Sequence, residues 1–233
     1  MISILLALPC YGGIMAARTA VSLVNLCKEF QNIGIPHEIL IVSNQSLIPK
    51  GRSDIANYFV NATNFSHLMW IDSDIVFQSE DVFKLMELQV PHAMATYRHK
   101  VQHPKYSFTL QTDNEKIVWN ENKTACKVLK NVGGFSLIHR DVFEKVKQSG
   151  QAKKYIPWTD SRTLVQAEIE NSYHYYDIEI SKEDGSILPE DFAFHEKCIN
   201  AGMDLWLRTD IQLIHNGNTD FVGTDIHSIL RSQ

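Results

Sequence analysis

The sequence has few of the features that mark several large functional classes. Its 233 residues include only four cysteines, and they are widely spaced with no C-x-x-C pair. This pattern disfavours both a zinc site and a dense disulfide framework. Basic residues number 22 against 27 acidic ones, which gives a net charge of −5 without a basic stripe or tail. We therefore expect no nucleic-acid partner.

Long apolar runs are also missing. The apolar stretch from Met1 to Leu8 lacks a basic leader and runs into Pro9. It is too short to cross a membrane and better suits a first strand. We expect no membrane span and a cytoplasmic location, which for a viral protein would be the host cytoplasm.

Nucleotide-binding glycine motifs are absent after the first predicted strand. Neither G-x-G-x-x-G nor a P-loop follows it, so NAD and Walker-type ATP binding are not indicated. What is present is a hydrophobic content of 44%, enough for one large α/β core. Strands at Ile2–Leu8 and Glu38–Val42 alternate with helices and precede a third apolar strand. The pattern predicts one α/β domain over residues 1–233, with a Rossmann-like mixed sheet flanked by helices.

The third strand ends in two acidic residues. The stretch from His67 to Phe77 is apolar except where Asp72-Ser73-Asp74 interrupts it. In open α/β sheets the carboxyl ends of strands form the ligand-binding edge. Two carboxylates there could hold Mg²⁺ or Mn²⁺, and the ion could grip a diphosphate. The alternative is a solvated Asp-Ser-Asp turn, which is common for these residue types.

Two further stretches of the first half carry candidate binding residues. After the first strand, Pro9, Tyr11 and two glycines form a loop that could receive a nucleotide base. Arg52 lies near the start of the second predicted helix. Its guanidinium could pair with a diphosphate or with an aspartate of the site.

The second half carries two glycines inside a predicted strand from Cys126 to His139. Gly133 and Gly134 in such a position indicate a bulge or the close approach of a ligand. A simple bend is the alternative. Further along, Ser149–Ser186 has little periodicity, which is typical of a lid, a binding loop or a disordered segment. Its aromatic residues offer flat faces for sugar rings; they are Tyr155, Trp158, Tyr173, Tyr175 and Tyr176.

The last stretch of the chain supplies two more candidates. Glu190 and Asp191 open a predicted helix, where acids could simply complement the helix dipole. His215 follows an apolar strand that begins at Ile211. Since strands of one sheet can deliver side chains to one edge, His215 could join Asp74. A purely structural histidine is the alternative.

Taken together and in this order, these motifs resemble those of the GT-A glycosyltransferases. The likeness is greatest to small viral and microbial members, which share the pattern with fungal Golgi mannosyltransferases, and it covers most of the chain. It rests on Arg52-Ser53-Asp54, the D-x-D stretch from His67 to Phe77, Gly133-Gly134-Phe135, Glu190-Asp191-x-x-Phe194, Gly202 and His215-x-Gly217.

The resemblance implies a metal site and a nucleotide-sugar donor. Asp74 would ligate Mn²⁺ or Mg²⁺, Asp72 would hold ribose or a metal-bound water, and His215 would complete the metal site. The donor would be a UDP-sugar, the commonest in such enzymes. Residues 1–100 would form the nucleotide-binding half, in which Pro9, Tyr11, Arg52, Asp72, Ser73 and Asp74 would frame the donor.

Residues 101–233 would form the sugar- and acceptor-binding half. Asp191 would take the proton of an acceptor hydroxyl in an inverting reaction and would orient the sugar in a retaining one. The acceptor would be a glycan or glycoprotein, and the enzyme a hexosyl- or pentosyltransferase. The other implied substrate-binding residues are Lys100, Gly133, Gly134 and Glu190.

Two other functions fit parts of the sequence. The stretch from Trp70 to Val76 also matches the motif of haloacid dehalogenase-type phosphatases, with Asp72 as nucleophile and Asp74 as acid. That family places the motif on its first strand, whereas two strands precede it here. A non-catalytic module that binds a sugar or a nucleotide sugar is the second alternative.

Overall fold

The computed structural model describes residues 2–43, 46–156 and 171–231. Among them, the strands are β1 Ile4–Cys10, β2 His37–Ser43, β3 His67–Ile71, β4 Ile75–Val76, β5 His92–Met94, β6 Phe108–Leu110, β7 Thr112–Asp113, β8 Lys116–Ile117, β9 Ala125–Asn131, β10 Phe135–His139, β11 Lys153–Lys154, β12 Tyr173–His174, β13 Glu179–Ile180, β14 Ile187–Leu188, β15 Leu205–Arg208, β16 Ile214–Asn216 and β17 Asp220–Val222. The α-helices are α1 Ala17–Ile33, α2 Ile48–Ala62, α3 Ser79–Glu87, α4 Arg140–Gln148, α5 Glu190–Asn200 and α6 Ile226–Arg231.

An eight-stranded mixed sheet forms the centre, in the order β2-β1-β3-β10-β5-β15-β9-β6. The first three strands along the chain, β1, β2 and β3, are parallel to one another. β10 then inserts antiparallel between β3 and β5. Helices cover both faces. The predicted α/β class, with a Rossmann-like mixed sheet flanked by helices, is confirmed.

Alternation along β1 shows how the two faces are filled. Leu5 and Ala7 point into a core shared with α2, α4 and α5, whereas Leu6 and Leu8 point into a second core under α1 and α3. All seven residues of β1 are buried. Because both faces are covered, the strand reads as a continuous apolar run, as expected for a central parallel strand.

The predicted single strand from Cys126 to His139 is wrong. The chain forms two strands, β9 and β10, which lie at different places in the sheet, and it breaks between them at Gly133 and Gly134. β9 and β10 run in the same direction but are separated in the sheet by β15 and β5, and side chains of Asp72 and Asp191 lie close to the two glycines at the break. The helix that follows, α4, was not predicted, although its buried Val142, Phe143 and Val146 have helical spacing.

A separate three-stranded sheet lies beside the large one, in the order β17-β16-β4. β4 is the short continuation of the chain after Asp74, and β16 carries His215. The expectation that His215 and Asp74 end strands of the same large sheet is therefore wrong. They are brought together by direct antiparallel pairing of their own short strands.

Within the described part of the chain, no helix combines the length and apolar character needed to cross a membrane. Of the five aromatic residues expected to face an acceptor, Tyr155 and Tyr173 are half-buried. Tyr175 and Tyr176 are 1% and 3% exposed and belong to the core, which corrects that expectation. Trp158 lies outside the described residues.

Candidate functional site

The site is built at the carboxyl end of β3. The strand ends at Ile71, and Asp72 to Asp74 form a turn in which the Ile75 N–H donates to the carbonyl oxygen of Asp72 at 3.1 Å. Although they are two residues apart, Asp72 and Asp74 have different partners. Asp72 belongs to a buried cluster of Arg52, Asp72, Tyr97, Glu190 and Asp191, and Asp74 to an open cluster of Asp74, Lys100 and His215.

Arg52 is the centre of the buried cluster. Its Nη2 donates to Asp72 Oδ1 at 2.6 Å and its Nε to Glu190 Oε1 at 3.3 Å. The guanidinium lies 5.0 Å above the ring of Trp70, and the residue is 4% exposed. Burial alone would lower the pKa of Arg52, but the charges of Asp72 and Glu190 outweigh it and raise the pKa. Of the two predicted partners of Arg52, the structure therefore shows the aspartate of the site.

Tyr97 completes the shell of Asp72. Its hydroxyl donates to Asp72 Oδ2 at 2.9 Å, so that each carboxylate oxygen of Asp72 has a fixed donor. Burial, followed by the charge of Asp72, raises the pKa of Tyr97 well above 10.0. The phenol is therefore a permanent donor. With both oxygens so engaged, Asp72 is poorly placed to act as the nucleophile of a phosphatase.

The glycine pair makes this packing possible. A Cβ on Gly134 would lie 1.9 Å from Asp72 Oδ2, and one on Gly133 would lie 2.8 Å from the Cβ of Asp191. The Asp72 N–H also donates to the Gly134 carbonyl oxygen at 2.8 Å. The groups that approach these two glycines are side chains of Asp72 and Asp191, and the predicted close approach of a ligand stays a prediction.

Asp191 lies in the first turn of α5 and is held by two backbone donors. Gly133 N–H donates to Oδ2 at 2.9 Å and Phe192 N–H to Oδ1 at 2.8 Å. Burial, reinforced by the charge of Glu190, raises the pKa of Asp191 to about 6. A fixed carboxylate with this pKa is ionised at neutral pH and basic enough to accept a proton from a reacting hydroxyl group.

The open cluster contains a histidine of defined tautomer. His215 Nδ1 lies 2.9 Å from the carbonyl oxygen of Arg98. Because a carbonyl only accepts, Nδ1 carries the proton and, in the neutral ring, Nε2 presents a lone pair. Nε2 lies 3.4 Å from Asp74 Oδ2. Many metal-binding histidines have this arrangement, in which the outer nitrogen is fixed by a backbone carbonyl.

Lys100 contacts the same oxygen of Asp74. Its Nζ donates to Oδ2 at 2.5 Å. Partial burial would raise the pKa of Asp74, but hydrogen bonds and charge from His215 and Lys100 outweigh it and lower the pKa. Asp74 is therefore an ionised carboxylate that already attracts cationic partners.

The loop after β1 reaches the same edge of the sheet. Tyr11 begins a 3₁₀ turn and is 67% exposed, whereas Pro9 is a buried residue of β1. The Ala16 N–H donates to the Ser73 carbonyl oxygen at 2.9 Å, which ties this loop to the turn after β3. The structure thus brings the loop that carries Tyr11 to the turn that carries Ser73, and Pro9 lies in the strand that leads into this loop.

A divalent cation suits part of this donor set. Asp74 supplies an ionised oxygen and the neutral form of His215 a nitrogen lone pair, 3.4 Å apart. This combination of oxygen and nitrogen ligands fits Mn²⁺ better than Mg²⁺. In residues 2–43, 46–156 and 171–231, no three His, Cys, Asp or Glu side chains are grouped so that they could hold a metal ion. The protein would therefore provide two ligands, and a diphosphate and water the rest.

Several residues of the site were not identified from the sequence. Trp70 supports Arg52 and is itself held by Tyr176, which accepts a hydrogen bond from Trp70 Nε1 at 2.8 Å. Tyr97 had a usable signal, since it ends the short, mostly apolar stretch that begins at Ala93. Asp54 accepts a hydrogen bond from the Tyr155 hydroxyl at 2.8 Å and so anchors the chain just before residue 157.

Comparisons with known proteins give structural matches only. No protein-family model matches the chain, and no curated protein does. The crystal structure of A197 from STIV has a TM-score of 0.53 and 13% identity and covers 96% of this chain and 95% of its own. The catalytic domain of Drosophila beta1,4-galactosyltransferase 7, in complex with xylobiose, has a TM-score of 0.45 and 12% identity and covers 97% and 71%. S. aureus TarS 1-349 in complex with UDP has a TM-score of 0.37 and 11% identity and covers 67% and 50%. The likeness to A197 shows a shared fold that extends over nearly the whole of both chains.

Proposed function

We propose that the protein is a metal-dependent glycosyltransferase of the GT-A type. It would move a sugar from a UDP-sugar to a hydroxyl group of a glycan or glycoprotein acceptor. The observation that carries the proposal is the geometry of His215, whose Nδ1–H is bound to the Arg98 carbonyl while Nε2 faces Asp74. This arrangement supports a metal ligand that would act together with the second aspartate of the D-x-D turn, and the half-buried Asp191 is suited to be a base.

The proposed roles divide between the two clusters. Asp74 and His215 would hold Mn²⁺ or Mg²⁺, which as a Lewis acid stabilises the charge of the departing diphosphate. Tyr11 would contact the base, and Ser73 and Asp72 the ribose side. Arg52 acts by fixing Asp72 and Glu190 in place.

Asp191 is the proposed base. In an inverting reaction the acceptor hydroxyl donates its proton to a free lone pair of Asp191 as it attacks the anomeric carbon. In a retaining reaction the same carboxylate orients the donor sugar. Residues 1–100 would bind the nucleotide and residues 101–233 the sugar and acceptor. The buried or half-buried, unpaired state of all four cysteines supports a cytoplasmic location.

The experiment is a thermal-shift screen of nucleotide sugars with and without Mn²⁺. We expect a UDP-sugar to raise the melting temperature only when metal is present, because a specific ligand stabilises the folded state by mass action. The same sugar should be slowly hydrolysed, and EDTA should abolish hydrolysis and transfer. Full activity after exhaustive metal removal would contradict the proposal.

Variants locate the metal. Asp74→Asn should lower the rate about a hundredfold or more. His215→Ala should weaken Mn²⁺ binding at least about tenfold, since even outer-shell partners of metal ligands contribute that much. Asp141→Asn is the matched control. Its exposed carboxylate lies in the first turn of α4, at the end of the sheet opposite to Asp74. Equal losses of rate in Asp141→Asn and Asp74→Asn would contradict the assignment of Asp74 as a metal ligand.

A further inference from the structure

Lys100 and His215 approach one oxygen of Asp74. Lys100 Nζ is 2.5 Å from Oδ2, and His215 Nε2 is 3.4 Å from the same atom. Two nitrogen-bearing side chains from different parts of the chain therefore converge on one carboxylate oxygen. In this structure the ammonium group of Lys100 is the cation at Asp74.

The stem of Lys100 has a defined seat. A Cβ on Gly217 would lie 3.2 Å from Lys100 Cδ and 3.2 Å from Phe221 Cε2. Gly217 is not among the glycines with positive φ, so its backbone does not require glycine. The absent side chain instead leaves room for the stem of Lys100. The lysine is thus directed to Asp74 by packing as well as by charge.

A metal ion and the ammonium group compete for this place. A divalent ion ligated by Asp74 Oδ2 and His215 Nε2 would need the oxygen that Lys100 uses, and two cations so close repel each other. Since the side chains of Lys100 and Asp74 are 36% and 35% exposed, their ion pair is weak enough to exchange. A diphosphate would give the displaced ammonium a second anion to bind.

We propose that Lys100 is a built-in competitor of the metal, which occupies Asp74 in the metal-free protein and moves to the donor diphosphate when the metal enters. This inference rests on the proposed function and adds regulation of the same site. Binding of the metal and binding of the nucleotide are then positively coupled. The metal displaces the ammonium group of Lys100 from Asp74, and the diphosphate of the nucleotide binds the displaced ammonium group. The coupling depends on Lys100 and on the packing of its side chain against Gly217.

The test measures Mn²⁺ affinity by electron paramagnetic resonance of free Mn²⁺, with and without UDP. Lys100→Met keeps the length of the stem but removes the charge, and Lys100→Arg keeps the charge. Without UDP, Lys100→Met should bind Mn²⁺ about three- to fivefold more tightly than wild type, in line with the loss of an exposed ion pair. Lys100→Arg should bind it as wild type does. With UDP present, wild type should gain more Mn²⁺ affinity than Lys100→Met.

Two variants separate this inference from the proposed function. If Asp74→Asn and His215→Ala lose Mn²⁺ binding while Lys100→Met equals wild type or binds more weakly without UDP, the function stands and the role of Lys100 is rejected. If wild type binds no Mn²⁺ with or without UDP, both fail. Circular dichroism melting curves confirm that each variant is folded, which the exposure of Lys100 favours.

Discussion

The two aspartates of one D-x-D turn have opposite surroundings. Asp72 is held by a buried arginine and a buried tyrosine at 2.6 and 2.9 Å, in a cluster packed against glycines. Asp74, two residues on, is held by a half-exposed lysine at 2.5 Å, and His215 Nε2 lies 3.4 Å from the same carboxylate. Similar distances therefore serve different purposes. The buried cluster fixes geometry, and the open cluster exchanges one cation for another.

Removing one cation from each cluster tests whether burial distinguishes the two clusters. Arg52→Met should lower the free energy of unfolding by about 3–5 kcal/mol, because it removes the buried cation that pairs with the half-buried carboxylates of Asp72 and Glu190. Lys100→Met, which removes an ion pair of equal length but greater exposure, should change it by less than about 1 kcal/mol. Urea denaturation of both variants measures the difference. Equal effects would show that burial does not distinguish the clusters.

A second test sharpens the role of packing in the buried cluster. Gly134→Ala should destabilise the protein by about 1–3 kcal/mol, since the new Cβ would lie 1.9 Å from Asp72 Oδ2 and the turn must shift. Gly133→Ala should have a smaller effect, because its nearest contact is 2.8 Å. Thermal unfolding gives the order, and Mn²⁺-UDP affinity shows whether the turn has moved. The reverse order would contradict the packing described here.

The third test uses the titration of Asp191. Its pKa is about 6 in the folded protein against 3.8 for an ordinary aspartate, so between these values the folded state binds more protons than the unfolded state. Stability from this group is therefore greatest at low pH and is lost as the pH rises through 6. Asp191→Asn does not titrate. Its stability relative to wild type should rise by roughly 2 kcal/mol between pH 4 and pH 8.

The same variant has a second readout. Loss of a general base should lower the transfer rate about 10²- to 10⁴-fold in an inverting reaction. Asp141→Asn, whose carboxylate is exposed at the opposite end of the sheet, should show neither change. A pH-independent stability difference for Asp191→Asn would mean that burial does not raise the pKa of this carboxyl group.

Much of the first half could be predicted from the sequence because short apolar strands and helical periodicity specify it. β1, α1, β2 and the end of β3 follow from such patterns, and so does the position of Asp72 and Asp74 at the carboxyl end of β3. The sequence offered an aspartate of the site and a diphosphate as partners of Arg52; the structure shows the aspartate at 2.6 Å, and the diphosphate stays a prediction. Local sequence patterns were enough to predict these elements of the first half.

The second half was harder because distant contacts determine it. The break at Gly133 and Gly134 depends on side chains from Asp72 and Asp191, which no local pattern reveals. Tyr175 and Tyr176 look like surface aromatics of an irregular segment, yet they pack against Phe143 and Phe194. His215 was placed correctly beside Asp74 but for the wrong reason, since the short β4–β16 pairing has too few residues to be visible in a sequence.

The ion pair between Arg52 and Glu190 joins residues 138 positions apart, and Asp74 meets His215 through a similarly distant pairing. Contacts of such long range form slowly, because the intervening chain must lose much of its freedom before they can be made. We therefore expect the central parallel strands to be protected from hydrogen exchange early in refolding, and metal binding to return last. Recovery of Mn²⁺ binding would then report completion of folding more faithfully than recovery of secondary structure.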